Sequence, residues 1–244
     1  MSDLRKRYFR RLIMRSLVFI ACIVSYFVRP DWFNILNKGQ FFTKFSPLHL
    51  LWFVWIMGMI QQLVPIKKKL AIGSLKLFKE NFRPSELFEK LSFKHLQKHV
   101  VTTTKAAYKV FLIWTALIAV IGVLYHFDVI NKIWLFMFSV TFYVCDLICV
   151  LVWCPFRLIM KNKCCTTCRI FNWDHLMMFT PLIFMGGGFF SISLLVMAIA
   201  AWLVWELCVM LYPERFWEYT NSALKCSECT DKLCTQYCQK LRKK

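Results

Sequence analysis

Acidic residues are scarce in this chain: 13 Asp and Glu stand against 32 Lys and Arg, a formal net charge of +19 over 244 residues. Glycine and proline are scarce too, with seven of each, and three of the glycines are consecutive, Gly186-Gly187-Gly188. The chain has no Gly-rich phosphate loop, dinucleotide fingerprint, nucleophile elbow or HExxH pair, so nucleotide-driven and hydrolytic chemistry find no support. Solenoid repeats and low-complexity linkers are also missing. Small residues are lacking where a leader would be cleaved, because the first apolar run ends in Tyr26-Phe27-Val28-Arg29-Pro30. That run reads as an uncleaved first span.

What the chain has in quantity is apolar surface. It is 59% hydrophobic and 17% aromatic, too apolar for an ordinary soluble domain. A span of the bilayer hydrocarbon takes about 20 residues of α-helix, and a helix satisfies its own backbone there. The expected fold is therefore all-α, a polytopic helical bundle with about six spans at 12–29, 47–65, 107–126, 131–153, 172–186 and 189–212. Residues 1–212 form the bundle and 213–244 a Cys-rich tail. Between Asp174 and Tyr212 the chain is apolar for too long to be one span. Gly186-Gly187-Gly188 divides it, since glycine reaches positive φ without steric cost. Pro181 would bend the short fifth segment, for which a re-entrant hairpin is the alternative.

Orientation follows from the basic residues. Segments 1–15, 66–109, 155–170 and 213–244 hold 28 of the 32, and Arg29, Lys38, Lys44 and Lys132 are the rest. This asymmetry predicts a multi-pass protein of the cell (inner) membrane with both termini in the cytoplasm. It also accounts for the positive charge through topology and anionic lipid headgroups, leaving nucleic acid as no expected partner. In the segment 66–106, Pro84-Ser85 marks a helix start. Leu87, Phe88, Leu91, Leu96 and Val100 then give an apolar stripe for an interfacial amphipathic helix. His95 and His99 on it read as solvated surface. Trp32, Phe33, Phe41, Phe42 and Phe45 in the outer loop 30–46 suit an interfacial aromatic belt.

Twelve cysteines remain to be explained. Cys22, Cys145, Cys149 and Cys208 fall inside spans, where cysteine packs as a small hydrophobe. Eight others fall into two cytoplasmic groups, Cys154, Cys164, Cys165 and Cys168 in a loop and Cys226, Cys229, Cys234 and Cys238 in the tail. Cytoplasmic placement disfavours disulfides. Both Cys165-x2-Cys168 and Cys226-x2-Cys229 have chelating spacing, and four thiols per group suit tetrahedral zinc or an iron–sulfur cluster. The two groups hold either separate centres or one shared centre joining loop to tail.

Trp153-Cys154-Pro155-Phe156 is similar to the cysteine–proline cluster ends of membrane polyferredoxins of the nitrate- and nitrous-oxide-respiration type. The resemblance covers those four residues only. The tandem C-x2-C-x2-C-x3-C-P runs of that family are lacking, so it implies no membership.

Carboxylates inside a span are costly and point to function. Asp146 lies eight residues before Cys154, about 12 Å into the membrane, and Glu206 about 9 Å from the inner end of the last span. Asp174 and His175 open the fifth span at the same face. Asp174 reads as a helix-start anion, while Asp146 and Glu206 are candidate proton relays. Met177, Met178 and Met185 read as gap-fillers, and Trp202 and Trp205 as a packing face.

The leading expectation is electron transfer between a soluble redox partner, or a membrane-complex subunit, and a membrane acceptor such as a quinone. The centre would be cysteine-ligated, with iron–sulfur favoured over zinc. The rivals are a soft-metal transporter or gate, and a zinc-clamped scaffold or assembly subunit.

Overall fold

The computed structural model describes residues 3–64, 82–86, 92–162 and 167–225. Among these the chain is helical, with one isolated bridge between Pro84 and Asn221. Helix α1 (Asp3–Val28) leads through a 3-10 helix (Pro30–Leu36) to α2 (Leu48–Leu63). Then come α3 (Phe93–His126), α4 (Lys132–Leu151) and the short α5 (Phe156–Met160). A bent segment follows, made of α6 (Asp174–Phe179) and a 3-10 helix (Thr180–Met185), and α7 (Phe189–Leu211) completes the bundle. Four of these helices, α1, α3, α4 and α7, are long and apolar enough to cross a membrane, whereas α2 is apolar but shorter.

Local chemistry accounts for the boundaries. Asn131 caps α4, its side chain accepting from the amides of Ile133 (3.0 Å) and Trp134 (3.2 Å), which satisfies donors a helix start leaves orphaned. Pro181 has no amide to donate, and the chain tightens from α to 3-10 geometry at Thr180. Gly186 (φ 71°) and Gly187 (φ 91°) make the reversal into α7, which glycine adopts freely.

Two groups of contacts define the ends of the bundle. At one end Gly188 sits against the backbone of Leu36 and Asn37, so the glycine turn lies beside the α1–α2 connection. Phe33 and Phe41 of that connection are buried rather than displayed as a belt, whereas Phe42 and Phe45 remain exposed. At the other end Phe216, just past α7, packs on Trp205 and joins a cluster that includes Met160, Ile170 and Cys168, and Trp217 stacks on His99 at 4.4 Å between centroids. The α4–α6 loop, the start of α3 and the beginning of the tail are thus gathered together. The centre of the bundle is an aromatic core in which Trp55, Phe136, Phe179 and Phe190 are fully buried. On the outside, Ile192, Val196, Ile199, Leu203, Leu207 and Met210 form an exposed apolar stripe along α7, a surface suited to lipid rather than water.

The inner segment differs from expectation. Residues 93–106 are the first turns of α3, not a separate interfacial helix, because no glycine or proline interrupts the chain between His95 and the span. Pro84 forms the isolated bridge to Asn221. Ser85 donates to the carbonyl of Tyr219, its amide donates to Thr220 O, and Ser222 N donates to Arg83 O. Those contacts pin the segment to the chain after α7. The predicted stripe residues Leu87, Phe88 and Leu91 lie outside the described residues.

Candidate functional site

Two cavities meet in the half of the bundle nearest the α4–α6 loop. The smaller, about 280 Å³, is lined by Cys145, Cys149, Cys154, Cys168, Met177 and Met178, with Asp146 and Asp174 at its edge. Positions 145 and 149 share a face of α4. Cys154 follows just past the end of that helix, and the bend at Pro155 folds the loop back, bringing Cys168 in from the far side. Cys145 and Cys149, which the sequence places among packing cysteines, therefore line the same space as Cys154 and Cys168. Cys22 and Cys208 do pack against apolar cores.

Cys154 is an activated thiol. A hydrogen bond from Cys149 and the backbone amides of Phe156 and Arg157 hold its acid constant down at about 7, against burial, which acts the other way. A thiolate is the form that ligates metal or attacks as a nucleophile.

The larger cavity is a groove of about 820 Å³ between α1 and α2, floored by α4 and the start of α6. Asp146, Val150, Phe171 and Asp174 line both cavities and form the wall between them. On the groove side of that wall Arg15 donates through Nη1 to Asp146 Oδ2 and to the carbonyl of Tyr143, both at 2.7 Å. Its guanidinium lies 3.9 Å from the Tyr143 ring centroid. Asp174 Oδ2 accepts from Gln62 Nε2 at 3.3 Å and lies 3.2 Å from His175 Nδ1. Asp174 does not cap its helix; its carboxylate joins α6 to α2.

Glu206 belongs to a separate cluster. Arg169 reaches it with both terminal nitrogens, and Trp173 Nε1 donates to Oε1 at 2.8 Å. Trp205 Nε1 donates to the Arg169 carbonyl at 2.8 Å. Both carboxylate oxygens are engaged, an arrangement that fastens the cysteine loop to α7. The single polar layer expected from depth along each helix is therefore two clusters, Arg15–Asp146 with Gln62–Asp174–His175, and Arg169–Glu206–Trp173.

Of the eight expected ligands, Cys154 and Cys168 are described and share the smaller cavity. Cys164, Cys165, Cys226, Cys229, Cys234 and Cys238 lie outside the described residues. Among the described residues no three Cys, His, Asp or Glu side chains converge as a metal site. His95 is exposed, whereas His99 is half-buried and stacks on Trp217 rather than standing as solvated surface.

Arg15, Arg169 and Gln62 are the site residues that sequence reasoning passed over. Arg15 carried a signal, lying just inside the inner end of the first predicted span, where a charge calls for a partner. Arg169 and Gln62 carried none beyond composition.

Comparison of the chain with protein-family models, with curated proteins and with solved structures finds no match in any of the three.

Proposed function

We propose that this protein crosses the membrane six times with both termini in the cytoplasm. At the cytoplasmic end it holds a cysteine-ligated metal centre and passes electrons between a soluble partner and a membrane-soluble acceptor such as a quinone. The observation that carries this reading is the shared wall: a cavity lined by four cysteines and two methionines abuts a largely apolar groove of about 820 Å³. Soft sulfur ligands select iron–sulfur clusters, copper(I) or zinc over hard cations. Cys154 and Cys168 would be ligands from the loop, joined by Cys164 and Cys165, with the tail cysteines completing one shared centre or a second one. The place of Phe216 and Cys168 in one hydrophobic cluster supports a tail that starts beside the loop.

The six-span topology has its own support. The glycine turn and the α1–α2 connection lie together, while the α4–α6 loop and the beginning of the tail lie at the opposite end. With the basic residues concentrated at that second end, it is the cytoplasmic one. The core beyond the thiol cavity is filled by Trp55, Phe136, Phe179, Phe190 and Leu182. Among the described residues that core brings no metal ligands together beyond the cavity.

Purification without oxygen tests the chemistry. The redox reading expects coloured protein whose sulfur-to-iron charge-transfer absorbance bleaches on reduction. Colourless protein with stoichiometric zinc rejects electron transfer and leaves a zinc-clamped scaffold. Labelling of single introduced cysteines from each side of sealed vesicles tests the topology.

A further inference from the structure

We infer that the groove between α1 and α2 binds a lipid-soluble molecule with a hydroxyl-bearing head, of the hydroquinone class, its head beside Gln62 and Asp174. The inference rests on the proposed exchange with a membrane carrier and assigns that carrier its site and its favoured form.

The groove is polar at one end only. Towards the α1–α2 connection it is walled by Val18, Leu51, Val54 and Leu48, which suits an isoprenoid or acyl body. Small-molecule sites share this design, an apolar enclosure with a few placed polar groups. The polar end is short of partners. Gln62 Oε1 and Asp174 Oδ1 are buried acceptors without a hydrogen bond, and Trp55 Nε1 is a buried donor without one. Gln62 is 7% exposed and Trp55 1%, and buried polar atoms left unpaired destabilise a fold. Trp55 and Gln62 are seven residues apart on one helix, about 10 Å along its axis, so a single small head ring spans the interval. Gly58 between them carries no side chain to obstruct it, and His175 Nε2 faces that gap.

The sign of the deficit selects the ligand. Gln62 Oε1 and Asp174 Oδ1 are acceptors, Trp55 Nε1 is a donor and His175 Nδ1, also without a hydrogen bond, takes either role, so the incoming head must donate as well as accept. A hydroquinone supplies two hydroxyl donors, and its oxygens also accept from Trp55. A quinone supplies carbonyls alone. A phospholipid phosphate could meet Arg11 at the groove mouth, but it brings no donor to Gln62 or Asp174. Rotating the Gln62 amide or the Asp174 carboxylate turns the orphaned oxygens towards the groove without moving a helix.

The test uses the full-length protein in detergent, as isolated and after metal stripping, with quenching of tryptophan fluorescence as readout. The probes are an isoprenyl-substituted 1,4-hydroquinone and its dimethyl ether, which has the same shape but no donors. The expected result is saturable hydroquinone binding, with the ether weaker by roughly tenfold or more for two lost hydrogen bonds. Gln62→Leu should bring hydroquinone affinity down towards that of the ether and leave the ether unchanged. Equal affinity for the two probes on the unmodified protein, no saturable binding of either, or displacement of the hydroquinone by anionic phospholipid overturns the inference. Binding that survives metal stripping supports it whatever the fate of the metal centre. A protein that holds a redox metal yet ignores the hydroquinone defeats this inference alone.

Discussion

Replacing Glu206 with alanine should loosen the cysteine loop more than any other single change in the bundle. The carboxylate takes two nitrogens from Arg169 and one from Trp173, and the Arg169 side chain is only 6% exposed. Removing the acid leaves a buried guanidinium without its counter-charge, which costs about 3–5 kcal/mol. Glu206→Gln keeps one acceptor for Trp173 but loses the charge-assisted pair, so its cost should be smaller, about 1.5–3 kcal/mol. The double change Arg169→Met with Glu206→Leu removes both charges and fills the space with apolar atoms. It should be more stable than Glu206→Ala, because exchanging a buried ion pair for well-packed apolar groups is often neutral or stabilising. The assay is reversible unfolding in mixed micelles, read by near-ultraviolet circular dichroism, with the coupling taken from the full double-mutant cycle. The reasoning fails if Glu206→Ala lies within about 1 kcal/mol of the parent, or if the double change is no better than the single one.

Other consequences follow from the same geometry. Arg15→Leu should destabilise by about 3–5 kcal/mol by stranding Asp146, with Asp146→Leu added to it recovering most of the loss in the same unfolding assay. In metal-stripped protein Cys154, with its acid constant near 7, should alkylate at a rate that rises with pH and reaches half its plateau near neutrality, measured by peptide mass after timed iodoacetamide labelling. Cys149→Ala removes the thiol that donates to Cys154, so the midpoint should move up towards the ordinary thiol value of about 8.5; an unmoved midpoint would refute the Cys149 contact. A methyl at Gly122 would run into the Phe184 ring. Gly122→Ala should therefore cost about 1–3 kcal/mol through overpacking, despite alanine's higher helix propensity, read as a lower unfolding midpoint.

Much of the helical framework could be read from the chain because bilayer length and backbone hydrogen bonding act locally. The runs at 47–65, 131–153 and 189–212 correspond to Leu48–Leu63, Lys132–Leu151 and Phe189–Leu211. Gly186-Gly187-Gly188 was legible as a reversal for the same reason, since positive φ is a property of single residues. Where the reading failed, distant residues decide. The hydrogen bonds that tie Arg83 and Ser85 to Tyr219, Thr220 and Ser222 could not be read locally. Depth along each helix set Asp146 and Glu206 in one layer, yet depth says nothing about rotation around the bundle, and they belong to different arginines. Cys145 and Cys149 looked like packing residues because their i, i+4 spacing fits a core face as well as a cavity wall. Only the returning loop with Cys168 distinguishes the two.

The account stands on sulfur-bound metal at the cytoplasmic end, and metal content per chain measures that most directly. Elemental analysis of protein purified without oxygen should find stoichiometric iron or zinc, and Cys154→Ser with Cys168→Ser should lower it sharply while leaving the helical content unchanged. Protein that is folded, carries no metal and offers its loop and tail thiols freely to a colorimetric reagent would contradict the account.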